Sequence, residues 1–288
     1  MNLWILLVDQ PGLFLAGAAL LGLLVGSFLN VLVLRLPVML ERQWQKEARE
    51  VLGLGQVSYP RFDLCLPASH CPACQHRIRP WENIPLLSYL LLRGRCSACR
   101  GRISLRYPLV ELSCALLSWL VAWHFGVSEQ ALLGLLLTWC LLALSLIDAD
   151  HQLLPDVLVL PTLWLGLVIN AFGVFVPLAD ALWGAVLGYL SLWSVYWVFR
   201  LITGKEGLGY GDFKLLALLG AWGGWQVLPL TLLLASLVGA LVGVCVLKIK
   251  KASLQTTLPF GPYLAVAGWI AWLWGDEIHA SYLQLLGY

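Results

Sequence analysis

Residues 12–34 read GLFLAGAALLGLLVGSFLNVLVL, twenty-three positions without a single charge. About 20 consecutive apolar residues cross the hydrocarbon core of a bilayer as a helix, so this stretch is long enough to span one. Ahead of it, Met1–Gln10 has no basic segment, which speaks against a cleavable signal sequence. The rest of the chain is of the same material. Of its 288 residues, 60% are hydrophobic and 12% charged, with a mean hydropathy of +0.82. Soluble domains carry about twice that charge, so the composition excludes a water-soluble enzyme or nucleic-acid binder. Reading for apolar stretches bounded by Gly, Pro and charge gives eight spans, near 12–36, 108–126, 130–147, 155–176, 179–202, 213–226, 227–247 and 259–275. The expected fold is an all-α polytopic membrane protein with about eight transmembrane helices.

The first two spans are separated by something different. Residues 38–107 hold 11 of the 18 Lys and Arg, 5 of the 16 Asp and Glu, and 5 of the 8 cysteines. We read three parts: a first helix (1–37), an inserted polar domain (38–107) and a seven-helix membrane domain (108–288). No internal repeat is evident. With the amino terminus outside, all 18 basic residues fall on the inner side, including Arg35, Arg200, Lys205, Lys214, Lys248, Lys250 and Lys251. The outer ends receive only acids such as Asp9, Glu129, Asp180, Asp276 and Glu277. This bias orients the protein with the polar domain in the cytoplasm. Trp119, Trp123, Trp139, Trp183, Trp272 and Trp274 fall near span ends, as interfacial anchors do.

Within the polar domain, Cys71-Pro-Ala-Cys74 is followed by Cys96-Ser-Ala-Cys99. Two CxxC pairs at this distance suit a closed, structural tetrahedral zinc site. Two disulfides, and thioredoxin-like redox chemistry, are the competing readings. Cytoplasmic thiols stay reduced, which disfavours the first, and there is no βα junction for the second. His70 and His76 are substitute ligands to be weighed. Cys65, Cys114, Cys140 and Cys245 stand alone and read as ordinary thiols.

Most acids in the membrane half sit in outer loops. Asp148, Asp150 and Asp156 (in Ile147-Asp-Ala-Asp-His-Gln-Leu-Leu-Pro-Asp156) and Asp212 (in Gly209-Tyr-Gly-Asp212) do not. Asp148 closes the third span on the inner side. Spans four and five go out and back, joined at Pro177-Leu178, so Asp212 returns to the same face. Carboxylates at that depth are costly and are usually paired or functional. Two that met there would share a proton, one able to take a proton from water while the other donates to a peptide carbonyl. Gly207, Gly209 and Gly211 are expected to allow close approach and unusual φ values ahead of Asp212. An ordinary polar loop with Asp at a helix amino terminus is the competing reading.

Taken in order, several stretches resemble one family: Gly26-Ser-Phe-Leu-Asn-Val-Leu-Val-Leu-Arg-Leu-Pro37; Cys71 through Asn83-Ile-Pro-Leu-Leu-Ser-Tyr-Leu-Leu-Leu-Arg-Gly-Arg-Cys96 to Arg106-Tyr-Pro-Leu-Val-Glu111; Asp148 to Asp156; Gly209–Asp212; and Pro259-Phe-Gly-Pro-Tyr-Leu264. The chain resembles the bifunctional type IV prepilin peptidases of bacterial inner membranes. The resemblance implies that Asp148 and Asp212 are the catalytic aspartates of a GxGD-type intramembrane protease, with Asp150 the runner-up and Gly209 and Gly211 in the dyad loop. It implies prepilin and pseudopilin substrates, cut after a glycine between a basic leader and an apolar helix. It also implies methylation of the new amino terminus with S-adenosylmethionine. For that step there is no strand–GxGxxG–helix unit; by analogy alone it is placed in the four-cysteine block, with Gly94 a position of close backbone approach. A transporter would place charges near the midplane on interrupted helices, and a zinc-bearing scaffold would need no aspartate pair. The 38–107 domain carries net charge +6, which would repel a basic leader and attract anionic lipid headgroups, so docking on the bilayer is expected of it.

Overall fold

The computed structural model describes residues 7–55, 57, 59–205, 207–250 and 258–285. Residues 1–6, part of the segment that argues against a signal sequence, and Lys251 lie outside them. Nine α-helices are described: α1 (Pro11–Val51), α2 (Leu87–Leu91), α3 (Arg106–Phe125), α4 (Glu129–His151), α5 (Asp156–Ala171), α6 (Leu178–Thr203), α7 (Tyr210–Gly223), α8 (Val227–Lys250) and α9 (Gly261–Leu285). A 3-10 turn covers Pro80–Asn83. Among the described residues there is no strand beyond two isolated bridges, His70 with Arg77 and Arg95 with Arg102. Every expected span falls on one helix. Of these, α1, α3, α4, α6 and α8 are long and apolar enough to cross a membrane. The protein is thus all-helical with several membrane spans.

Three boundaries differ most from expectation, one of them the end of α9, which runs to Leu285 and not to 275. α1 does not stop at Pro37 but runs to Val51, 41 residues in all, or about 62 Å at 1.5 Å per residue. Its polar second half is rich in strong helix formers. That half is laced by i,i+4 bonds from Gln45 to Glu41 and from Gln43 to Glu47. The following loop folds back onto it: Arg35 donates to the carbonyls of Asp63 and Pro67, and Arg42 lies 4.6 Å over the Phe62 ring. α5 in turn ends at Ala171, short of the expected 176. Asn170 explains this, because its side-chain oxygen accepts the N–H groups of Phe175 and Val176 and turns the chain before α6.

The chain forms two compact units, one up to Leu135 and one from Leu136 on. In the first, α1 packs on α3 through Gly22 and Gly26. A Cβ at either would lie 2.8 Å from an α3 Cα, of Ala115 or Glu111 respectively, so only glycines let the backbones approach this closely. In the second, α7 is the centre. From Asp212 to Gly223 nearly every residue is buried, against α5, α6 and α9. With 14 residues, about 21 Å, it is too short to cross a bilayer by itself. Its carboxyl end is tied to α5 by the Asn170 amide, which donates to the carbonyls of Ala221 and Trp222, and by the Trp222 indole N–H, which donates to Thr162. The tryptophans accordingly divide. Trp123 and Trp183 are exposed, as lipid-facing anchors would be, whereas Trp272 packs edge-on against Trp222 and Phe175.

Candidate functional site

Asp148 stands near the carboxyl end of α4 and Asp212 in the first turn of α7, and both are buried, 6% and 7% exposed. Each has one oxygen held in the same way. Gly261, the first residue of α9, donates its N–H to Asp148 Oδ2 at 2.9 Å. Gly209, the N-cap of α7, donates to Asp212 Oδ2 at 3.2 Å. Helix amino termini present unpaired N–H groups and a favourable dipole, which is where a carboxylate is best tolerated. Leu154, six residues on from Asp148, packs against Gly211 beside Asp212, and α9, whose first N–H holds Asp148, packs on α7. Two buried carboxylates, 64 residues apart in sequence, are thus brought together by three helix ends.

The other acids do something else. Asp150 is exposed; two residues on from Asp148, it points about 200° around the helix. Asp156 is bound through both oxygens by Lys214 Nζ, at 2.7 and 2.8 Å. Of the glycines ahead of Asp212, Gly207 and Gly211 are needed for space, and none of the three is needed for unusual φ. Gly209 is extended at φ −81°, and a Cβ on Gly211 would fall 2.8 Å from the Leu154 Cβ. Among the described residues of this loop the left-handed one is Gly204, at φ 70°, which closes α6.

The four cysteines form a second centre, in the first unit. The Sγ atoms of Cys71, Cys74, Cys96 and Cys99 all lie within 4.8 Å of one another. The Cys71–Cys99 and Cys74–Cys96 separations are both 3.9 Å, and no disulfide is present among the described cysteines. The two knuckles are built alike. Each first cysteine donates its N–H five residues on, to His76 or Gly101, and its carbonyl accepts from Gln75 or Arg100, both left-handed at φ 59° and 60°. His70-Cys-Pro-Ala-Cys-Gln-His-Arg77 and Arg95-Cys-Ser-Ala-Cys-Arg-Gly-Arg102 are therefore one eight-residue unit used twice, a repeat too short and too divergent to be evident in the sequence alone. The N–H groups of Cys74 and Ala73 pull the Cys71 thiol down to about 7, and those of Cys99 and Ala98 pull Cys96 down as well. Cys74 receives the His76 N–H, but desolvation and the neighbouring thiols push it up to about 11. Four sulfurs this close cannot all ionise unaided; a cation among them removes the conflict. The cluster can therefore hold a metal ion. Neither histidine belongs to it: His76 faces Glu82 at 3.5 Å and His70 the Ala68 carbonyl.

Gly94 is left-handed at φ 64°, and a Cβ there would lie 2.7 Å from the Tyr89 hydroxyl. Sequence reasoning missed the role of Gly261, although the signal was present, since Gly261-Pro262 is a helix start. It also gave no role to Glu111, which is buried on α3.

The type IV leader peptidase family matches residues 135–244, and the bacterial peptidase A24 N-terminal domain matches residues 20–125. The chain is 70% identical over 288 residues to the prepilin leader peptidase/N-methyltransferase of Pseudomonas putida, covering 100% of both chains. It is 66% identical to that of Stutzerimonas stutzeri, over 96% of each chain, and 66% identical to that of Pseudomonas aeruginosa, over 98% of each. No solved structure matches it. With both of its units matched and relatives alike from end to end, the chain belongs to the type IV leader peptidase family.

Proposed function

We propose that the protein cleaves the basic leader from type IV prepilins and from the pseudopilins of type II secretion, after a glycine, and then methylates the new amino terminus. The observation that carries the first step is the pair of buried aspartates. Because a helix-terminal N–H already holds Oδ2 of each, Oδ1 of each is left without a protein donor among the described residues. A water between the two would meet one ionised and one protonated carboxyl. The ionised group takes a proton from the water as its oxygen attacks the carbonyl carbon, and the protonated group donates to the carbonyl oxygen. When the carbon–nitrogen bond breaks, the amine leaves with the proton that the first carboxylate took, and the second takes back the hydroxyl proton as the carbonyl re-forms, which restores one proton to the pair. The basic residues near these helix ends, Arg200, Lys205 and Lys214, support a cytoplasmic position in the inner membrane, where the leader of such a substrate meets its apolar segment.

For the cysteine cluster we propose Zn2+ in a structural role. Bonds of 2.3 Å in a tetrahedron set sulfurs about 3.8 Å apart, and the cross pairs stand at 3.9 Å. All four positions being thiols, no open site remains for catalysis, and the ion would cross-link the two knuckles of the 38–107 domain. S-adenosylmethionine supplies the methyl group of the second step. A transporter is not favoured, since the paired acids lie at helix ends and not at interrupted midplane helices.

The test uses purified protein and a peptide with a basic leader, a glycine and an apolar helix. Cleavage after the glycine, followed by a mass gain of one methyl when S-adenosylmethionine is added, is expected. Asp148→Asn and Asp212→Asn should each reduce the cut to a slow residual rate while Asp150→Asn keeps it; an Asn variant at 148 or 212 that cleaves as fast as the wild type removes that residue from the mechanism.

A further inference from the structure

Glu111 belongs neither to the aspartate pair nor to the sulfur cluster, yet it is only 8% exposed. Its Oε2 accepts the Leu86 N–H at 2.8 Å, and the Ser27 side chain reaches the same carboxylate. Leu86 adopts φ 56°, a conformation that a leucine enters only under constraint, in delivering that N–H. No Lys or Arg pairs with Glu111 among the described residues. A buried carboxylate without a cation is costly, and Glu111 lines a cavity of about 450 Å³. The cavity lies between the middle of α1 (residues 27–35), the first turns of α3 and the four-cysteine block, and Asn30, Arg35, Tyr89, Arg102 and Tyr107 also line it.

We propose that this cavity holds S-adenosylmethionine, with Glu111 as the counter-ion of its positive charge. The inference rests on the methyl-transfer reading above and adds the place where the donor sits. The size is that of ordinary small-molecule sites. The chemistry agrees group by group. The donor carries a sulfonium and an ammonium, which a buried carboxylate attracts. Its own carboxylate suits the guanidiniums of Arg35 and Arg102, and its purine suits the rings of Tyr89 and Tyr107. Lacking a phosphate, it needs no glycine-rich anion cradle, and none is present in the sequence. In the transfer the amine nitrogen's lone pair takes the methyl carbon, the carbon–sulfur bond breaks, sulfur is left neutral and the nitrogen releases its proton to water. The positive charge that Glu111 would hold at sulfur is thereby lost.

The experiment measures equilibrium binding of methyl-labelled S-adenosylmethionine to the full-length protein in lipid nanodiscs, and maps its ultraviolet cross-link. Glu111→Gln should raise the Kd at least tenfold. Val31→Trp, which fills the cavity from α1, should abolish binding, and the label should fall within residues 27–35 or 107–111. Helix content and metal stoichiometry report folding; should Glu111→Gln lose them, Val31→Trp and the cross-link map decide. Wild-type binding in both variants, or a label outside these segments, overturns the proposal while methyl transfer stands. A wild-type protein that neither binds the donor nor methylates would sink the underlying reading, and this one with it.

Discussion

Gly261→Ala is the perturbation that tests the site's construction most finely. The residue does two things at once: its N–H holds Asp148 Oδ2 at 2.9 Å, and its missing side chain makes room for that carboxylate. A Cβ at this position would lie 2.6 Å from the oxygen and 3.0 Å from the carboxyl carbon, where ordinary contact begins at 3.4 Å. Asp148 and the start of α9 must then part by nearly an ångström. Hydrogen bonds to charged groups are worth about 1.5–3 kcal/mol, and a misplacement of about 1 Å near the chemistry costs roughly 100-fold, or about 2.7 kcal/mol of barrier. We expect kcat/KM for leader cleavage to fall by about that factor. The control is Gly275→Ala on the same helix, whose added Cβ meets nothing within 4 Å and whose kinetics should match the wild type. The assay is steady-state cleavage of a leader-bearing peptide, with melting temperature recorded in parallel. A Gly261→Ala enzyme within twofold of wild type and equally stable would refute the idea that this N–H positions Asp148.

Four further outcomes are expected. Cys→Ser at position 71, 74, 96 or 99 should lower metal content and loosen the four-cysteine block, read by elemental analysis and proteolysis. Metal uptake by chelator-stripped protein should strengthen as pH rises through about 7: binding needs thiolates, Cys71 loses its proton there, and below it that proton must be displaced. Asp63 is held down to about 2 by Arg61 and by the N–H groups of Leu66 and Cys65. The order it gives this loop is therefore full above the usual carboxylate value of 3.8 and is lost as pH falls toward 2, visible as faster amide exchange at Cys65 and Leu66. Reversing the charge of Arg77, Arg79, Arg100 and Arg102 together should free the 38–107 domain from the surface of anionic-lipid nanodiscs, read as faster amide exchange across residues 70–102; unchanged exchange counts against docking of this surface on the bilayer.

The pattern of apolar spans was legible because membrane helices must be continuous and apolar, and that constraint leaves a strong mark in sequence. What was not legible came from tertiary contact. Nothing in the composition of α7 distinguishes a core helix, wrapped by α5, α6 and α9, from a short span facing lipid. The end of α5 was set by one side chain, Asn170, reaching forward to two N–H groups. α1 runs past Pro37 because the polar residues beyond it favour helix, whereas the change from apolar to charged residues suggested a boundary. The aspartates were legible as candidates from their spacing across two crossings; the N–H groups that hold them were not, since Gly261 lies 113 residues from Asp148. The four-cysteine cluster was legible from spacing, and the shared knuckle geometry was visible only once both were folded.

The central claim is that Asp148 and Asp212 act as one unit. Its most direct test is a double-mutant cycle on leader cleavage, with Asp148→Asn, Asp212→Asn and the combined variant measured under identical conditions in the same lipid. A unit sharing one proton is disabled by loss of either member, so the double variant should be no slower than the slower single one. Losses that instead multiply, each residue contributing whether or not the other is present, would mean that the two carboxylates work separately and would contradict the account.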